Sequence, residues 1–573
     1  MRSLRRDGAA GAARAGPLAI ASTSGVHAPA GGPLCVVDGR LDAGPLARAA
    51  GLDPALPAAE LVAAAYARLG PAALDRLEGE FALAVWDERA GRGALARDRL
   101  GARPVFLAEH AGALLFASEV RNLLALLPSR PAPDETAMAH WLARAPLPRG
   151  RTLYSGIRPL PGGHALELAG GRWRERRVWR PRHAAARRLG EREAAEAVRA
   201  CLGAAVERSL RGAERPAILL SGGLDSAAVA AAASAAGTRP AAYSALFPEH
   251  PEVDESQRIR SVRERLGLDG VEADLGGGSA IERAREFTRE WELPSVSPNR
   301  FVWAPLLARA RDDGVDVVLD GAGGDELFGC ARYLVADELR RGAPLAAVRV
   351  ARRLPGMGSS PPPRWIARAL ATYGLRAALP HRLHERLRAA RGRSGGPDWL
   401  AAGVTHDRWS WKREPGPRWW AQLVHLLTSD ELGVADQLRR EAAIHGLELR
   451  HPLRDPALID LVLELPPELG FDPDLDRPLL RRALAGELPD AVLREVRKPA
   501  FNPLLEAALA GPDRRGLAAL LAAPPPELTA LVRPGSGAFE PFEAGNRAPG
   551  RALELWRLVT LAVWLDHQGD GSA

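Results

Sequence analysis

Apolar residues are spaced in two ways along the chain. Between about residues 15 and 180, short apolar runs such as GPLCVVDGRL, GEFALAVWDE, RPVFLAEH and GALLFASEV are interrupted by glycine and proline. Runs of that length bounded by turn residues predict the strands of a layered α+β domain. From about residue 190 the pattern lengthens into Ala/Leu/Arg helices, with isolated strands expected at 217–220, 240–246 and 315–319. That alternation predicts an α/β sheet followed by a mostly helical part. WRPRHAAARRLGE at 179–191 carries Pro181 and a run of arginines and reads as the connection. It divides the chain into a first domain at 1–185 and a second at 190–573. MGSSPPPRW at 357–365 and the Pro-rich stretch 521–550 read as loops.

Composition narrows the picture. A chain of 573 residues, 46% hydrophobic, is too long for one core. The net charge of +7 comes almost entirely from arginine, since Lys412 and Lys498 are the only lysines. The arginines look scattered among acids and alanines, which argues against a nucleic-acid stripe and leaves a nucleotide ligand open. Cys35, Cys201 and Cys330 are far apart and odd in number, as expected for a reducing cytoplasm. No stretch of about 18 apolar residues exists to span a membrane.

The chemistry concentrates at AILLSGGLDSAAV, 217–229. A buried strand that ends in Gly222-Gly223 lets backbone N–H groups turn toward a ligand. Ser221 and Ser226 add hydroxyls, and the following helix adds its positive end, completing a cradle for phosphate oxygens. Asp225 does not suit a bare phosphate nest. It makes sense with Mg2+ standing between the carboxylate and the phosphates of a nucleotide. The alternative is a strand-to-helix turn in which Ser or Asp caps the helix.

A second constellation, GVDVVLDGAGGDELFG at 314–329, repeats the device: a strand runs into Gly321, Gly323 and Gly324, and Asp325-Glu326 opens a helix. Two strand ends of one parallel sheet face the same crevice, so Asp225 and Asp325 can share a metal. Acids favoured by a helix start are the alternative.

Ser221-Gly222-Gly223-Leu224-Asp225-Ser226 resembles the PP-loop of ATP pyrophosphatases, which split ATP between the α and β phosphates. There is no Walker lysine pattern. Together with LEGEFALAVWDERAGRGALARDRLGARPVFLAEHAGALLFASEVRNLL at 77–124 and GLELRHPLRDPALIDLVLELPPEL at 446–469, these strings are similar to the glutamine-hydrolysing asparagine synthetase superfamily. The resemblance runs through nearly the whole chain. It implies an N-terminal glutaminase-like αββα domain of the Ntn-hydrolase type and a C-terminal adenine nucleotide α-hydrolase-like synthetase domain. It also implies an AMP-forming carbon–nitrogen ligase using ATP and Mg2+. Carried over by motif, Ser221, Gly222, Gly223, Leu224, Asp225 and Ser226 hold pyrophosphate, with Gly321 and Gly323 on the facing turn, and Asp225 with Asp325 binds the metal. Lys498, in RKPAF, contacts the phosphates and the developing oxyanion, and Asp254-Glu255 lies near the nucleotide.

The departures from that pattern matter as much. A glutaminase of this family needs cysteine as the first residue after Met removal, where this chain has Arg2. The family's Asn-Gly-Glu turn is Asp38-Gly39-Arg40, and its Asp-Thr-Glu signature is Ala58-Ala59-Glu60. These changes imply a first domain that makes no ammonia. Ala322 stands where asparagine synthetases and β-lactam synthetases carry a glutamate. The Gly-Gly-Asp-Glu form without that acid looks like the lasso peptide macrolactam synthetases. They activate an Asp or Glu side chain of a core peptide, and the peptide's N-terminal amine attacks it. That implies a precursor peptide as substrate, a leader peptidase and a leader-recognition protein as partners, and no nucleic acid. An ammonia-dependent amidating enzyme and a β-lactam-type synthetase share the ATP residues and stay open. Glu326 and Glu448 are candidates by position for the base that deprotonates the amine, Glu448 equally suiting an ion pair with Arg450 or Arg454. Trp409, Trp411, Trp419 and Trp420 either line a peptide groove or pack in a core.

Overall fold

The structure, a computed structural model, describes residues 11–15, 18–22, 25–29, 32–181, 183, 187, 189–275, 278–390, 397–401, 409–428, 434–496, 501–540 and 550–570. In the N-terminal part, β1 (Gly11–Ala15) and β2 (Leu18–Ser22) form a hairpin. Next come β3 (Leu34–Leu41), β4 (Gly79–Asp87), β5 (Arg92–Arg97), β6 (Phe106–His110), β7 (Ala113–Ala117), β8 (Ile157–Pro159), β9 (His164–Ala169) and β10 (Arg172–Arg177). They build two antiparallel sheets, ordered β10-β9-β5-β4-β3 and β7-β6-β8.

The layering follows from alternation along the strands. Cys35 and Val37 face the helices Ala43–Ala50 and Ala58–Leu69, which place Leu46, Leu61 and Tyr66 against them. Leu34 and Val36 face the opposite way, onto Leu107 and Phe116 of the smaller sheet. In that smaller sheet Phe106 and Ala108 turn from Leu107's side to the helix Glu135–Leu142. The same apolar cluster continues into Leu505, Leu520, Trp556 and Trp564 of the C-terminal helices. The two halves of the chain are therefore joined by hydrophobic packing as well as by the connection near residue 185.

The C-terminal sheet contains β11 (Pro216–Leu219), β12 (Ala241–Leu246), β13 (Gly270–Asp274), β14 (Val317–Leu319) and β15 (Glu448–Arg450), all parallel, in the order β13-β12-β11-β14-β15. Both faces are covered, as a parallel sheet requires. Ile218, Val317 and Leu319 pack against the helix Leu224–Ala235, whereas Ala217, Leu219 and Val318 pack against Leu306, Leu307 and Ala310 of the helix Arg300–Asp312. Burying each large aliphatic side chain contributes about 1.5–3 kcal/mol. The chain adds β12 and β13 on one side of β11 and β14 and β15 on the other. The strand order thus reverses between β11 and β14, where a crevice opens at the carboxyl ends.

The three strands expected in this half are present. β13 and β15 were not expected: β13 is short and half-polar, and β15 has three residues. Within the stretch expected as loop, the helices Pro526–Ala530 and, at its start, the end of Arg514–Ala522 form, and residues 541–549 lie outside the described residues. The helix Pro363–Ala369 begins inside the other expected loop, with proline at its first position. No helix among the described residues is long and apolar enough to cross a membrane.

Candidate active site

The register Ala217↔Val318 and Ile218↔Leu319 brings the ends of β11 and β14 level, so the two glycine turns emerge side by side. In the first, Gly222 adopts φ +75°, a left-handed conformation that a Cβ would disfavour. Ser226 closes the turn: its hydroxyl accepts from Ser221 N–H at 3.2 Å and donates toward Gly223 O at 3.3 Å. The helix Leu224–Ala235 starts after Gly223 with no side chain capping it, leaving its first amides directed at the crevice. Leu224 itself is buried in the core, so only its backbone belongs to the site.

The second turn is pressed against the first. A Cβ on Gly321 would lie 2.5 Å from Ser226 N and 2.7 Å from the Asp225 carbonyl carbon, and one on Gly324 would strike the Asp225 carboxylate. Gly321 and Gly324 are thus required by close approach, and Gly323 by its φ of +103°.

Asp225 and Asp325 are brought together by a side chain that sequence reasoning missed. Arg477 Nη1 lies 2.7 Å from Asp225 Oδ2 and 2.9 Å from Asp325 Oδ1. One cationic nitrogen is thus shared by the two carboxylates. Among the described residues no group of three or more His, Cys, Asp or Glu could hold a metal. Two carboxylates with the remaining ligands left to phosphate and water suit Mg2+, which keeps waters and substrate oxygens.

Beside Ser221 a narrow cleft opens between Leu220, Tyr243, Phe247, Val302, Trp303 and Phe501, with Glu255 at its edge. Its apolar walls and aromatic rings suit a purine base. Asp254 flanks it, accepting from Phe247 N–H at 3.0 Å and Ser256 Oγ–H at 2.6 Å. Burial pushes its pKa up, but these hydrogen bonds outweigh that and hold it below the usual carboxylate range. Glu255 packs over Gly222 and pairs with Arg258 at 2.5 Å.

On the other side of the second turn, β15 pairs Leu319 with Arg450, which sets His451 beside Asp320. His451 Nδ1 is 2.6 Å from Asp320 Oδ1, the oxygen that also accepts Ala322 N–H at 3.1 Å, and both side chains are buried. This pair too was missed, although it belongs to the two motif strings, because only strand pairing joins them.

The two candidate bases fare differently. Glu326 is exposed on the short helix Gly324–Phe328 and makes no hydrogen bond or ion pair among the described residues. Glu448 sits on a strand and is fully engaged: it accepts from Arg103 at 2.6 Å and Arg450 at 2.7 Å, with Arg40 at 3.7 Å. Burial would raise its pKa, but the Arg450 hydrogen bond and the charges of Arg103 and Arg40 hold it below the usual range. The ion-pair reading of Glu448 is the one that stands, and its partners reach across from the first domain. Lys498 lies outside the described residues. Trp411, Trp419 and Trp420 are buried in the core, and the half-buried Trp409 packs edge-on against Tyr333 and tilted against Trp411 and His384. The other lysine, Lys412, is buried too, donating to Arg376 O at 2.8 Å.

Comparison with known proteins gives the family. Residues 197–566 match the asparagine synthase family. The chain belongs to that family. Residues 57–179 match the glutamine amidotransferase domain. This asparagine synthase family protein therefore combines an N-terminal glutamine amidotransferase domain with a C-terminal synthase domain, and it is an ATP-dependent ligase that forms carbon–nitrogen bonds. It is 27% identical over 454 residues to a putative glutamine-hydrolysing asparagine synthetase of Mycobacterium tuberculosis, covering 76% of this chain and 68% of that protein. To asparagine synthetase 3 of Bacillus subtilis it is 25% identical, covering 74% of this chain and 67% of the relative. The amidase chry2 of Gibberella zeae is 28% identical over 49% of this chain and 44% of its own. Among solved structures, a glutamine phosphoribosylpyrophosphate amidotransferase from B. subtilis aligns over 45% of this chain and 58% of that one, at 16% identity and a TM-score of 0.19.

Proposed function

We propose that this asparagine synthase family protein is a lasso peptide cyclase, which adenylates an Asp or Glu side chain of a core peptide and joins it to the peptide's N-terminal amine. The observation that carries this reading is the fate of Asp38-Gly39-Arg40. These residues form no turn but lie within β3, paired with β4, and Arg40 is tied to Glu80 at 2.8 Å, to Glu448, and to the Arg208 carbonyl at 2.9 Å; that engagement with the synthase domain supports a reading in which this stretch no longer receives glutamine. The nitrogen must then come with the substrate, and a tethered amine gains from proximity.

In the first step a carboxylate oxygen of the peptide attacks the α-phosphorus of ATP, and pyrophosphate leaves. Asp225 and Asp325 are the residues that would hold Mg2+, which would supply charge neutralisation for the triphosphate. The open amides of the helix Leu224–Ala235 and the Ser221 hydroxyl bind the departing oxygens, and Lys498, assigned by its RKPAF motif alone, would add a positive charge. In the second step the amine attacks the acyl carbon, AMP leaves, and the amine's proton goes to His451. Asp320 is an acceptor, so Nδ1 carries the hydrogen and Nε2 keeps its lone pair. The base cleft lies over β11 and β12, so the acyl group extends toward β14 and β15, where His451 sits.

The substrate is a core peptide, with a leader peptidase and a leader-recognition protein as partners, no nucleic acid being involved, in the cytoplasm. A second reading, ammonia-dependent amidation, is favoured by the names of the asparagine synthetase relatives and by the amidotransferase match. The test is incubation with ATP, Mg2+ and linear peptides that carry a free N-terminus and one Asp or Glu at varied spacing. A product lighter by one water, with AMP and pyrophosphate in equal amounts, supports cyclisation. Asparagine formed from aspartate and ammonium, with no cyclic product, overturns it in favour of the second reading.

A further inference from the structure

The positive charge of this protein is local. Residues 344–390 hold nine of the 77 basic side chains and one of the 70 acids, Glu385, leaving 68 against 69 in the rest of the chain. The arginines that look scattered in the sequence thus include one block that accounts for the whole excess. That block folds as the helices Pro344–Arg352, Pro363–Ala369 with its continuation to Ala378, and His381–Ala390. The first two pack on each other and on the helix Leu334–Arg340, which follows the second glycine turn in the chain.

The same block is where apolar side chains are left outside. Of the ten large hydrophobic residues exposed among the described residues, five are here: Leu345 at 79%, Leu375 at 64%, Trp365 at 44%, Leu387 at 43% and Leu383 at 42%. Arg349, Arg352, Arg364, Arg368, Arg382 and Arg386 are exposed beside them. None of the six makes an ion pair among the described residues. The spacing repeats on each helix. Leu345, Arg349 and Arg352 share one face at i, i+4 and i+7; Arg364, Trp365 and Arg368 share another; Arg382 with Arg386 and Leu383 with Leu387 form adjacent rows.

We propose that residues 344–390 form a docking surface for an anionic phospholipid membrane. Leucines exposed by 42–79% and separated by arginines across three helices do not describe one recess-and-knob match to a preformed partner pocket. A bilayer interface accepts such protrusions wherever they fall, takes up Trp365 at headgroup depth, and pairs the arginines with lipid phosphates. An acidic folded protein would instead need matching recesses for each side chain. The protein is held peripherally, its charge segregated so that the nearly neutral remainder faces away.

The experiment is flotation of the full chain with vesicles of phosphatidylcholine alone or mixed in equal parts with phosphatidylglycerol. The expected result is recovery with the mixed vesicles only, reversed by salt. Arg349→Glu/Arg364→Glu/Arg382→Glu should weaken binding at least about tenfold, and Leu345→Ser/Leu375→Ser by about fivefold or more. Unaltered near-ultraviolet circular dichroism certifies that both variants fold. Equal recovery with neutral vesicles, no recovery with anionic ones, or unchanged binding by both variants overturns the proposal. So does binding of soluble polyglutamate in preference to the mixed vesicles, which would mark the surface as a site for an acidic polypeptide.

Discussion

Arg477 Nη1 stands 2.7 Å from Asp225, at the position between the two site carboxylates, and its own backbone is held at φ +49° to put it there. A left-handed arginine costs about 1 kcal/mol, so the ion pairs must hold the side chain in place. The guanidinium neutralises Asp225, which is 85% shielded from solvent, and Asp325, which is largely open. Removing it takes a charge-assisted partner away from a shielded carboxylate. Arg477→Met should lower unfolding free energy by about 2–3 kcal/mol without nucleotide, discounted for the exposure of Asp325. Magnesium chloride should raise the melting temperature of the variant more than that of the parent, because the cation then replaces the lost charge. Equal shifts in the two proteins would separate the carboxylate pair from metal binding.

Asp225→Asn keeps the shape of the first turn and removes one of the two charges that converge on that point. Pyrophosphate release should fall by about a hundredfold or more, since a charge-stabilising contact to the transferred group is worth several kcal/mol. Turnover equal to the parent's would refute the metal assignment. Gly321→Ala tests the same place sterically: its Cβ would lie 2.5 Å from Ser226 N, so the two turns must separate. Overpacking of this kind costs about 1–3 kcal/mol and should weaken ATP binding in proportion. Equilibrium binding of an ATP analogue reads it.

His451 and Asp320 allow the two chemical steps to be told apart. His451→Asn retains a donor toward Asp320 and removes the ring nitrogen that takes the proton. Exchange of labelled pyrophosphate into ATP should stay within about twofold of the parent, while amide formation falls by about 10²–10⁴-fold, the usual share of a general base. Loss of both activities together would mean that the pair only braces the second turn, through Ala322 N–H.

The strand–turn–helix units at 217–226 and 317–328 were legible because each joins a short apolar run to clustered glycine and to acids placed at a helix start. What the chain conceals is pairing across distance. Arg477 lies 252 residues from Asp225, and no local pattern distinguishes it from the other arginines of an arginine-rich chain. His451 is 131 residues from Asp320 and reaches it only because the three-residue strand β15 lies beside β14. A strand so short carries no alternation to detect. The tryptophans were ambiguous for the opposite reason: a helical run of large rings reads alike as core or as groove until neighbours such as Tyr333 and His384 are known. The charge block at 344–390 needed counting by segment, since the whole-chain total hides it.

Glu448 joins the domains, and its protonation should uncouple them. Its folded pKa is depressed by Arg450, Arg103 and Arg40, so its contribution is complete above the unfolded carboxyl value of about 4.3 and is lost as pH falls through the lower folded value. Glu448→Gln mimics the protonated group. The parent should be more stable than this variant at neutral pH, and the difference should shrink steadily on acidification below about pH 4.3, as read by urea midpoints. A gap that widens toward acid would contradict the sign of the shift.

The first domain should release no glutamate from glutamine. Arg40 is committed to Glu80, Glu448 and the Arg208 carbonyl, and Asp38 faces Arg103 at 3.9 Å, so this stretch of β3 is engaged in ion pairs. The cysteine on the same strand cannot substitute as nucleophile. Cys35 is wholly buried between the sheet and its helices, and burial pushes its thiol well above the usual range, so no thiolate forms near neutral pH. Glutamine with ATP and Mg2+ should therefore give glutamate at the rate of buffer alone. Arg40→Glu, which places an acid at that position of β3, should loosen the domain contact and lower thermal stability without creating glutaminase activity. Glutamate formation by the parent, followed by a coupled assay, would mean that another nucleophile serves this domain.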